Sequence, residues 1–271
     1  MKRLAVAVTL SWLLLALPSM ADEPGSPAIS PEARSRLDAL IAAYRALPAY
    51  ADQGEVALVV KVGDRALTQS RKASVAFARP NRLDVRTDFV RVVSDGTSLT
   101  SIVVPLKSFQ TVPVPSKFTE SSLRGGPLGS IEFGNVEGLP LLHVLNLVVG
   151  DEPERLIQDF TPNIRVEIDQ EVGGIAYRVL RLDESDNHDW RFLIDPKSGL
   201  LAFIDLVVEG DATRSSIAGG DTHIESLRWT AGKVSTEAPA AKVFAFEPGA
   251  GFRRIEKLEG PNEAKAEGDK K

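Results

Sequence analysis

The sequence contains no cysteine, which excludes disulfide bonds, thiol nucleophiles and thiolate metal ligands together. Histidine is scarce as well: the chain has three, His143, His188 and His223, and no HExxH-type spacing links them. Neither a GxxxxGK[ST] phosphate loop nor a dinucleotide-binding fingerprint occurs. We therefore expect a protein that is not an enzyme and that uses no metal and no cofactor.

Positive charge is in the minority, and the net charge of −5 argues against nucleic acid as a partner. The exception is residues 1–21, which have the basic, apolar and small-residue parts of a secretory signal peptide, ending in Ser19-Met20-Ala21. Cleavage after Ala21 removes two basic residues and takes the net charge to −7. No later segment reaches the roughly 20 apolar residues that cross a bilayer. We expect a soluble exported protein, periplasmic in a Gram-negative host.

The composition changes at both ends of the remaining chain. Residues 22–29 are rich in proline, glycine and serine, which is typical of a linker. Residues 259–271 hold no apolar residue larger than alanine, so we expect a disordered tail there. The folded part is then a single domain over residues 30–258, and we expect it to be a monomer.

One helix is predicted at the start of this domain, where Ser30 can cap it and apolar residues recur at three- and four-residue steps until Pro48. A second helical region is predicted within 139–160, with Asp151 as a cap. Short runs rich in valine, isoleucine and phenylalanine predict strands over 54–62, 67–77, 82–87, 89–94, 98–104, 108–113, 164–169, 173–183, 189–195, 200–208, 222–230 and 242–247. Many consecutive strands and few helices favour an antiparallel sheet with helices on one face.

The stretch "VVSDGTSLTSIVVP", residues 92–105, contains a serine beside Asp95-Gly96. A nucleophile elbow needs a helix after the turn. Here a second β-rich run follows, so we predict a tight hairpin and assign Ser94 to the turn. "DESDNHD", residues 183–189, lacks the glycine and glutamate of an EF-hand loop, and we predict another hairpin tip.

Several strands are apolar on both faces, above all "GLLAFIDLVV", residues 199–208. A second layer could cover the other face, or a strongly curved sheet could enclose an apolar hollow; composition does not separate the two. The segment 117–138 is long and rich in glycine, as lids and binding loops are, and we predict a flap there.

The order of five motifs resembles that of the LolA-like superfamily of periplasmic outer-membrane lipoprotein carriers and related exported proteins. The motifs are "ARSRLDALIAAYRALPAYADQGEVALV", "FARPNRLDV", "VVSDGTSLTSIVVPLKSFQTVPV", "WRFLIDPKSGLLAFIDL" and "VFAFEPGAGF". The resemblance implies an α+β, mainly β fold: a strongly curved antiparallel sheet, or incomplete β-barrel, with a few helices covering its concave face. It also implies that Arg79, in "ARPN", helps to hold a lid closed; the alternative is an arginine that flanks a strand-terminating proline and contributes only to solubility. The strand "TSLTSIVVP" departs from the family, whose corresponding strand tends to be rich in aromatic residues.

We expect the concave face to bind a lipid or the acyl chain of a lipidated protein, through Leu99, Ile102, Val104, Trp190, Phe192, Leu201 and Phe203. The alternative is a non-catalytic cell-envelope module that binds other proteins and has a filled core. A third hypothesis is a hydrolase that uses His223 of the "DTH" sequence at 221–223.

Overall fold

The computed structural model describes residues 29–115, 118, 139–149, 163–183, 188–208 and 222–256. The predicted signal peptide and tail lie outside these residues, and so does the predicted linker apart from Ile29, which packs against the core. The predicted flap, apart from Phe118, and the helix predicted to begin near Asp151 lie outside them as well. No helix in the described part of the chain is long and apolar enough to cross a membrane.

Helix α1, Pro31–Arg45, forms where the sequence predicts it. The Ser30 hydroxyl accepts a hydrogen bond from the backbone N–H of Ala33 at 3.1 Å, and Pro31 occupies the first turn, where its missing N–H costs nothing. Its buried face consists of Ala33, Leu37, Leu40, Ile41 and Tyr44. Helix α2, Leu139–Val149, is the other α-helix among the described residues.

The strands agree closely with the predicted ones. They are β1 Ala49–Val62, β2 Arg65–Ala78, β3 Arg82–Arg86, β4 Val90–Asp95, β5 Ser98–Val103, β6 Ser108–Pro113, β7 Asn163–Val172, β8 Ile175–Asp183, β9 His188–Ile194, β10 Leu201–Val208, β11 Thr222–Thr230 and β12 Arg253–Arg254. One prediction is wrong: the strand expected over 242–247 is replaced by a short 3-10 helix, Ala241–Phe244.

All twelve strands belong to one sheet, in the order β12-β6-β5-β4-β3-β2-β1-β11-β10-β9-β8-β7. Neighbours are antiparallel except β12, which runs parallel to β6. The pairing of β1 with β11 joins the two halves of the sheet. The sheet is curved and open, with β7 and β12 at its ends, and few helices accompany it, which confirms the predicted fold class.

The concave face, defined as the face that carries α1 and α2, holds the main apolar core. Residues that pair directly across neighbouring strands point to the same face of the sheet. Phe77 pairs with Leu83, Val56 pairs with Trp229, and all four side chains belong to the core on this face. These residues, the buried faces of both helices and residues of β7 to β10 form one cluster. The helices therefore unite the two halves of the sheet through a single core.

The hairpin between β4 and β5 turns at Asp95-Gly96, as predicted. Gly96 has φ of +98°, a conformation that favours glycine. The Asp95 carboxylate accepts hydrogen bonds from the backbone N–H groups of Thr97 and Ser98, each at 2.8 Å. Ser94 is buried and its hydroxyl donates to the carbonyl of Asn81 at 2.7 Å, which assigns it a structural role.

The convex face of β3 to β6 is covered by the C-terminal segment, residues 241–256. The Phe246 ring packs edge-on against Phe109, with centroids 5.2 Å apart. Arg91 donates hydrogen bonds to the carbonyls of Val243 at 3.1 Å and Ala245 at 2.9 Å, and its Nε donates to the buried Asp84 carboxylate at 2.6 Å. The segment is thus attached to the sheet by both aromatic packing and charged hydrogen bonds.

Phe244 is 2% exposed, and we expect Phe244→Ala to lower the free energy of unfolding by about 3 kcal/mol, because it leaves a cavity under the C-terminal segment. Denaturant unfolding monitored by circular dichroism measures this loss. Deletion of residues 257–271, which lie beyond the segment, is the control and should change stability by less than about 0.5 kcal/mol. Equal effects of the two changes would contradict the role given to the segment.

Candidate binding site on the concave face

Helix α2 has the sequence LPLLHVLNLVV, with no charged residue and only His143 and Asn146 polar. A helix that is apolar all round is typical of a buried position. Residues 140–149 are buried apart from the half-buried His143, and the helix lies near β2, β10, β11 and α1. α2 is therefore an interior element that packs against both the sheet and α1.

The aromatic wall, defined here as Trp190 and Phe192 of β9, is the part of the concave face that contacts His143. The His143 ring packs edge-on against both, with centroids 5.0 Å from Trp190 and 5.3 Å from Phe192. The two wall residues are 2% and 1% exposed. The surface that the sequence predicts to bind an apolar ligand is thus occupied by a helix of the same chain.

Six of the seven predicted cavity residues divide between the two faces of the sheet. Four lie on the concave face: Leu99, Trp190, Phe192 and Leu201. Two, Ile102 and Phe203, lie on the convex face. The seventh, Val104, lies in the turn that follows β5. Ile102 pairs with Phe109 on the side that the C-terminal segment covers, Val104 is exposed, and Phe203 contacts Tyr177 and Arg228. The structure therefore brings only the first four to the side that holds α2.

The concave face also contains apolar residues that the sequence analysis did not select. Leu83, Val85 and Val92 are buried in the same core cluster. Period-two alternation could have found them, because the Asp95-Gly96 turn sets the register of β4 against β5 and so places Val92 on the same side as Leu99.

Arg79 lies at the end of β2, beside the end of α1. Its Nε donates a hydrogen bond to the carbonyl of Leu47 at 3.0 Å, and its guanidinium carbon is 5.2 Å from the centroid of the Phe77 ring. The backbone N–H of Arg79 also donates to the carbonyl of Pro48 at 3.0 Å. Arg79 thus connects the edge of the concave face to the chain that leaves α1.

The base of α1 contains a buried polar cluster. The Tyr44 hydroxyl accepts a hydrogen bond from the backbone N–H of Leu201 at 3.2 Å, and the Tyr44 ring packs against Tyr50. Burial raises the pKa of both phenols above the ordinary value, so both are neutral at physiological pH. The Tyr44 hydroxyl fixes α1 on the sheet, and neither phenol is poised to act as a base.

Asp52 is buried next to this cluster, and its carboxylate accepts a hydrogen bond from the backbone N–H of Gly232 at 2.9 Å. Only glycine permits this approach, since a Cβ at position 232 would lie 1.8 Å from the Gln53 carbonyl oxygen. Burial raises the pKa of Asp52, and the Gly232 N–H opposes that shift only in part. The ionised carboxylate is therefore less stable here than in water.

Asn146 is the buried polar residue of α2, and its Oδ1 has no hydrogen-bond partner in the described structure. An unpaired carbonyl oxygen in an apolar interior is costly, and native proteins contain few of them. It offers one acceptor within an otherwise hydrocarbon environment.

Of the candidate catalytic residues, the structure describes the side chains of His143 and Ser94. His143 packs between aromatic rings, and Ser94 is a turn residue. The side chains of His188 and His223 lie outside the described residues, so the hydrolase hypothesis stays a prediction. No group of His, Asp and Glu side chains in the described ranges could hold a metal ion.

No family model and no curated protein matches the sequence. Solved structures do match. An uncharacterized conserved protein from Thermus thermophilus has a TM-score of 0.46 at 6% identity, over 83% of this chain and 99% of that one. A LolA superfamily protein from Nitrosomonas europaea has a TM-score of 0.32 at 10% identity, over 79% and 97%. The latter belongs to the superfamily that the five sequence motifs resemble.

The MucB chain of the Pseudomonas aeruginosa MucA/MucB complex structure is also similar, with a TM-score of 0.34 and 15% identity. The match covers 80% of this chain and 61% of that one, so the present chain spans about three fifths of the length of that relative.

The pKa shift of Asp52 predicts a pH-dependent effect of Asp52→Asn. A carboxyl whose pKa is raised by folding stabilises the protein below its unfolded pKa and loses that contribution as the pH rises through the folded value. The melting temperature of the Asp52→Asn variant relative to the natural protein should therefore rise as the pH increases from about 4, and then level off. Thermal unfolding followed by circular dichroism at several pH values measures this difference.

Asp95→Asn is the control of opposite sign. Hydrogen bonds from Ser98 and Thr97 lower the pKa of Asp95, so its carboxylate stabilises the fold at neutral pH and loses that contribution in acid. The melting temperature of this variant should therefore fall further below that of the natural protein as the pH rises. If the difference in melting temperature between Asp52→Asn and the natural protein does not change with pH, the conclusion that burial destabilises the Asp52 carboxylate is wrong.

Proposed function

We propose that the protein is a periplasmic carrier that binds a lipid, or the acyl chain of a lipidated protein, on the concave face of its sheet. It acts as an exported monomer and performs no catalysis. The observation that carries the proposal is the apolar contact of α2 with the aromatic wall, where Trp190 and Phe192 pack against His143. A surface that accepts an apolar helix can accept hydrocarbon in its place.

The exchange of α2 for an acyl chain is energetically reasonable. Apolar packing is non-directional, so hydrocarbon can replace it without loss of specific geometry. Burial of ten methylene groups contributes about 8 kcal/mol, which alone would correspond to a Kd of about 1 μM, and the cost of displacing the helix weakens the affinity from that limit. Ligand binding would then shift the chain from the form with α2 on the wall to a form with α2 displaced.

In this proposal Arg79 restrains the displacement of the helices. Its hydrogen bond to Leu47 ties the end of α1 to β2, and α1 in turn lies beside α2. This contact with α1 supports the role in lid closure that the sequence resemblance implies for Arg79.

A second candidate function is a non-catalytic module that binds envelope proteins and holds no ligand. The observation in its favour is the same wall, because Trp190 and Phe192 are almost fully covered by the chain itself. A core filled to native density leaves no room for a hydrocarbon tail unless α2 moves. The two candidates therefore differ in whether an acyl chain reaches the wall.

Tryptophan fluorescence can test whether an acyl chain reaches it. Removal of the signal peptide leaves Trp190 and Trp229, so Trp229→Phe makes Trp190 the sole reporter. We expect dibrominated stearic acid to quench Trp190 saturably, because bromine quenches an indole only at contact. The matched control places the reporter on the convex face, in a protein with Trp190→Phe, Trp229→Phe and Phe203→Trp, where we expect no quenching. An unquenched Trp190, with no acyl species in native mass spectra, would favour the second candidate.

Arg79→Leu should accelerate release of the same brominated acid. The variant loses one charged hydrogen bond to a carbonyl, worth about 1.5 kcal/mol, which corresponds to a dissociation rate about tenfold higher. Stopped-flow recovery of Trp190 fluorescence after addition of excess unbrominated acid measures that rate. Arg82→Leu, another exposed arginine on the next strand, is the control and should leave it unchanged. Equal rates for both variants would remove the restraint assigned to Arg79.

A further inference from the structure

The β1–β2 hairpin extends beyond the strand that flanks it. β1 and β2 pair along their full lengths, from Ala49 with Ala78 to Val62 with Arg65. β3, however, pairs only with residues 74–78 of β2. On that side, no strand of the described structure pairs with residues 65–73. This outer half of β2 is called the free edge below; the term refers only to strand pairing, since the Arg71 side chain within it contacts the Phe89 ring.

The backbone groups of the free edge point outward at alternate residues. Hydrogen bonds alternate along an antiparallel pair, and the Arg79 N–H, which donates to Pro48, shows that odd-numbered residues of β2 face β1. The N–H and C=O groups of the even-numbered residues therefore face away from β1. These residues are Ala66, Thr68, Ser70 and Lys72, and all four are exposed.

The hairpin over 54–73 is basic, although the chain as a whole is acidic. Its net charge is +2, from four basic residues, Lys61, Arg65, Arg71 and Lys72, and two acidic ones, Glu55 and Asp64. β2 itself contains no acidic residue. Pairing of two copies through this edge would place basic strands side by side, which costs free energy. The charge favours an acidic partner over a second copy.

The side chains of the free edge are suited to an extended ligand. Leu67 is 53% exposed and lies two residues from Arg65, on the same face. Where β3 separates from β2, a crevice of about 370 Å³ continues the edge, and its lining contains both basic residues, Lys72 and Arg86, and acidic ones, Glu55 and Asp88. A strand laid along the edge would meet an apolar contact, basic side chains and a crevice for its end.

We propose that the free edge of β2 binds an extended, acidic segment of a partner protein, which adds to the sheet as a thirteenth strand. Backbone hydrogen bonds to residues 66–72 supply affinity, and Arg65 and Lys72 select acidic side chains in the ligand. The site lies on a different part of the molecule from the aromatic wall, so it does not depend on the proposed acyl binding.

The test uses two fluorescein-labelled octapeptides that alternate threonine or valine with either glutamate or lysine. Fluorescence anisotropy with the full chain should show binding of the glutamate peptide, weakened by added salt, and little binding of the lysine peptide. Thr68→Pro removes one outward N–H. It removes no hydrogen bond to β1, because the Thr68 N–H faces away from β1, and proline is tolerated at such positions on a strand edge. It should lower the affinity at least about tenfold, whereas Thr68→Ala, which keeps the N–H, should not.

A second pair of changes tests the charge without altering the backbone. Arg65→Glu with Lys72→Gln takes the hairpin from +2 to −1 and should reverse the preference between the two peptides. Equal peptide affinity in natural protein and Thr68→Pro, with unchanged melting temperature, would overturn the proposal. So would binding to phosphatidylglycerol vesicles in place of peptide, or a dimer in sedimentation that Thr68→Pro abolishes.

Discussion

The packing of α1 and α2 against the concave face is the interaction on which the rest of the structure depends. A twelve-stranded open sheet has no single centre, and its two halves meet only where β1 pairs with β11. The helices supply the common core, and Tyr44 fixes α1 by accepting a hydrogen bond from β10. Because the helices occupy the face, the same contacts that hold the fold together define the surface that a ligand would have to enter.

The order and type of the strands could be predicted from the sequence because turn residues and β-rich runs mark them locally. The faces of individual residues could not always be predicted. β5 carries a large apolar residue on each side, and Ile102 is no less hydrophobic than Leu99, which lies on the opposite face. In β10 the register shifts between Leu201 and Phe203, and this irregularity turns Phe203 to the convex side.

The error at residues 242–247 has a different cause. The alternation in "KVFAFE" is typical of a strand, but a strand also needs a neighbouring edge for its hydrogen bonds. Here the carbonyls of Val243 and Ala245 accept hydrogen bonds from Arg91, a side chain distant in sequence. The contact of α2 with the aromatic wall could not be predicted from the sequence either, because no local pattern indicates which strand a buried helix will contact.

The parallel pairing of β12 with β6 has a consequence for biosynthesis. Residues 241–256 are synthesised more than a hundred residues after the strands β3 to β6, whose convex side they cover. Until these residues have left the ribosome, that side of the four strands is bare. A nascent chain of this protein therefore needs residues 241–256, or a temporary substitute such as a chaperone, to keep the β3–β6 part of its sheet from self-association.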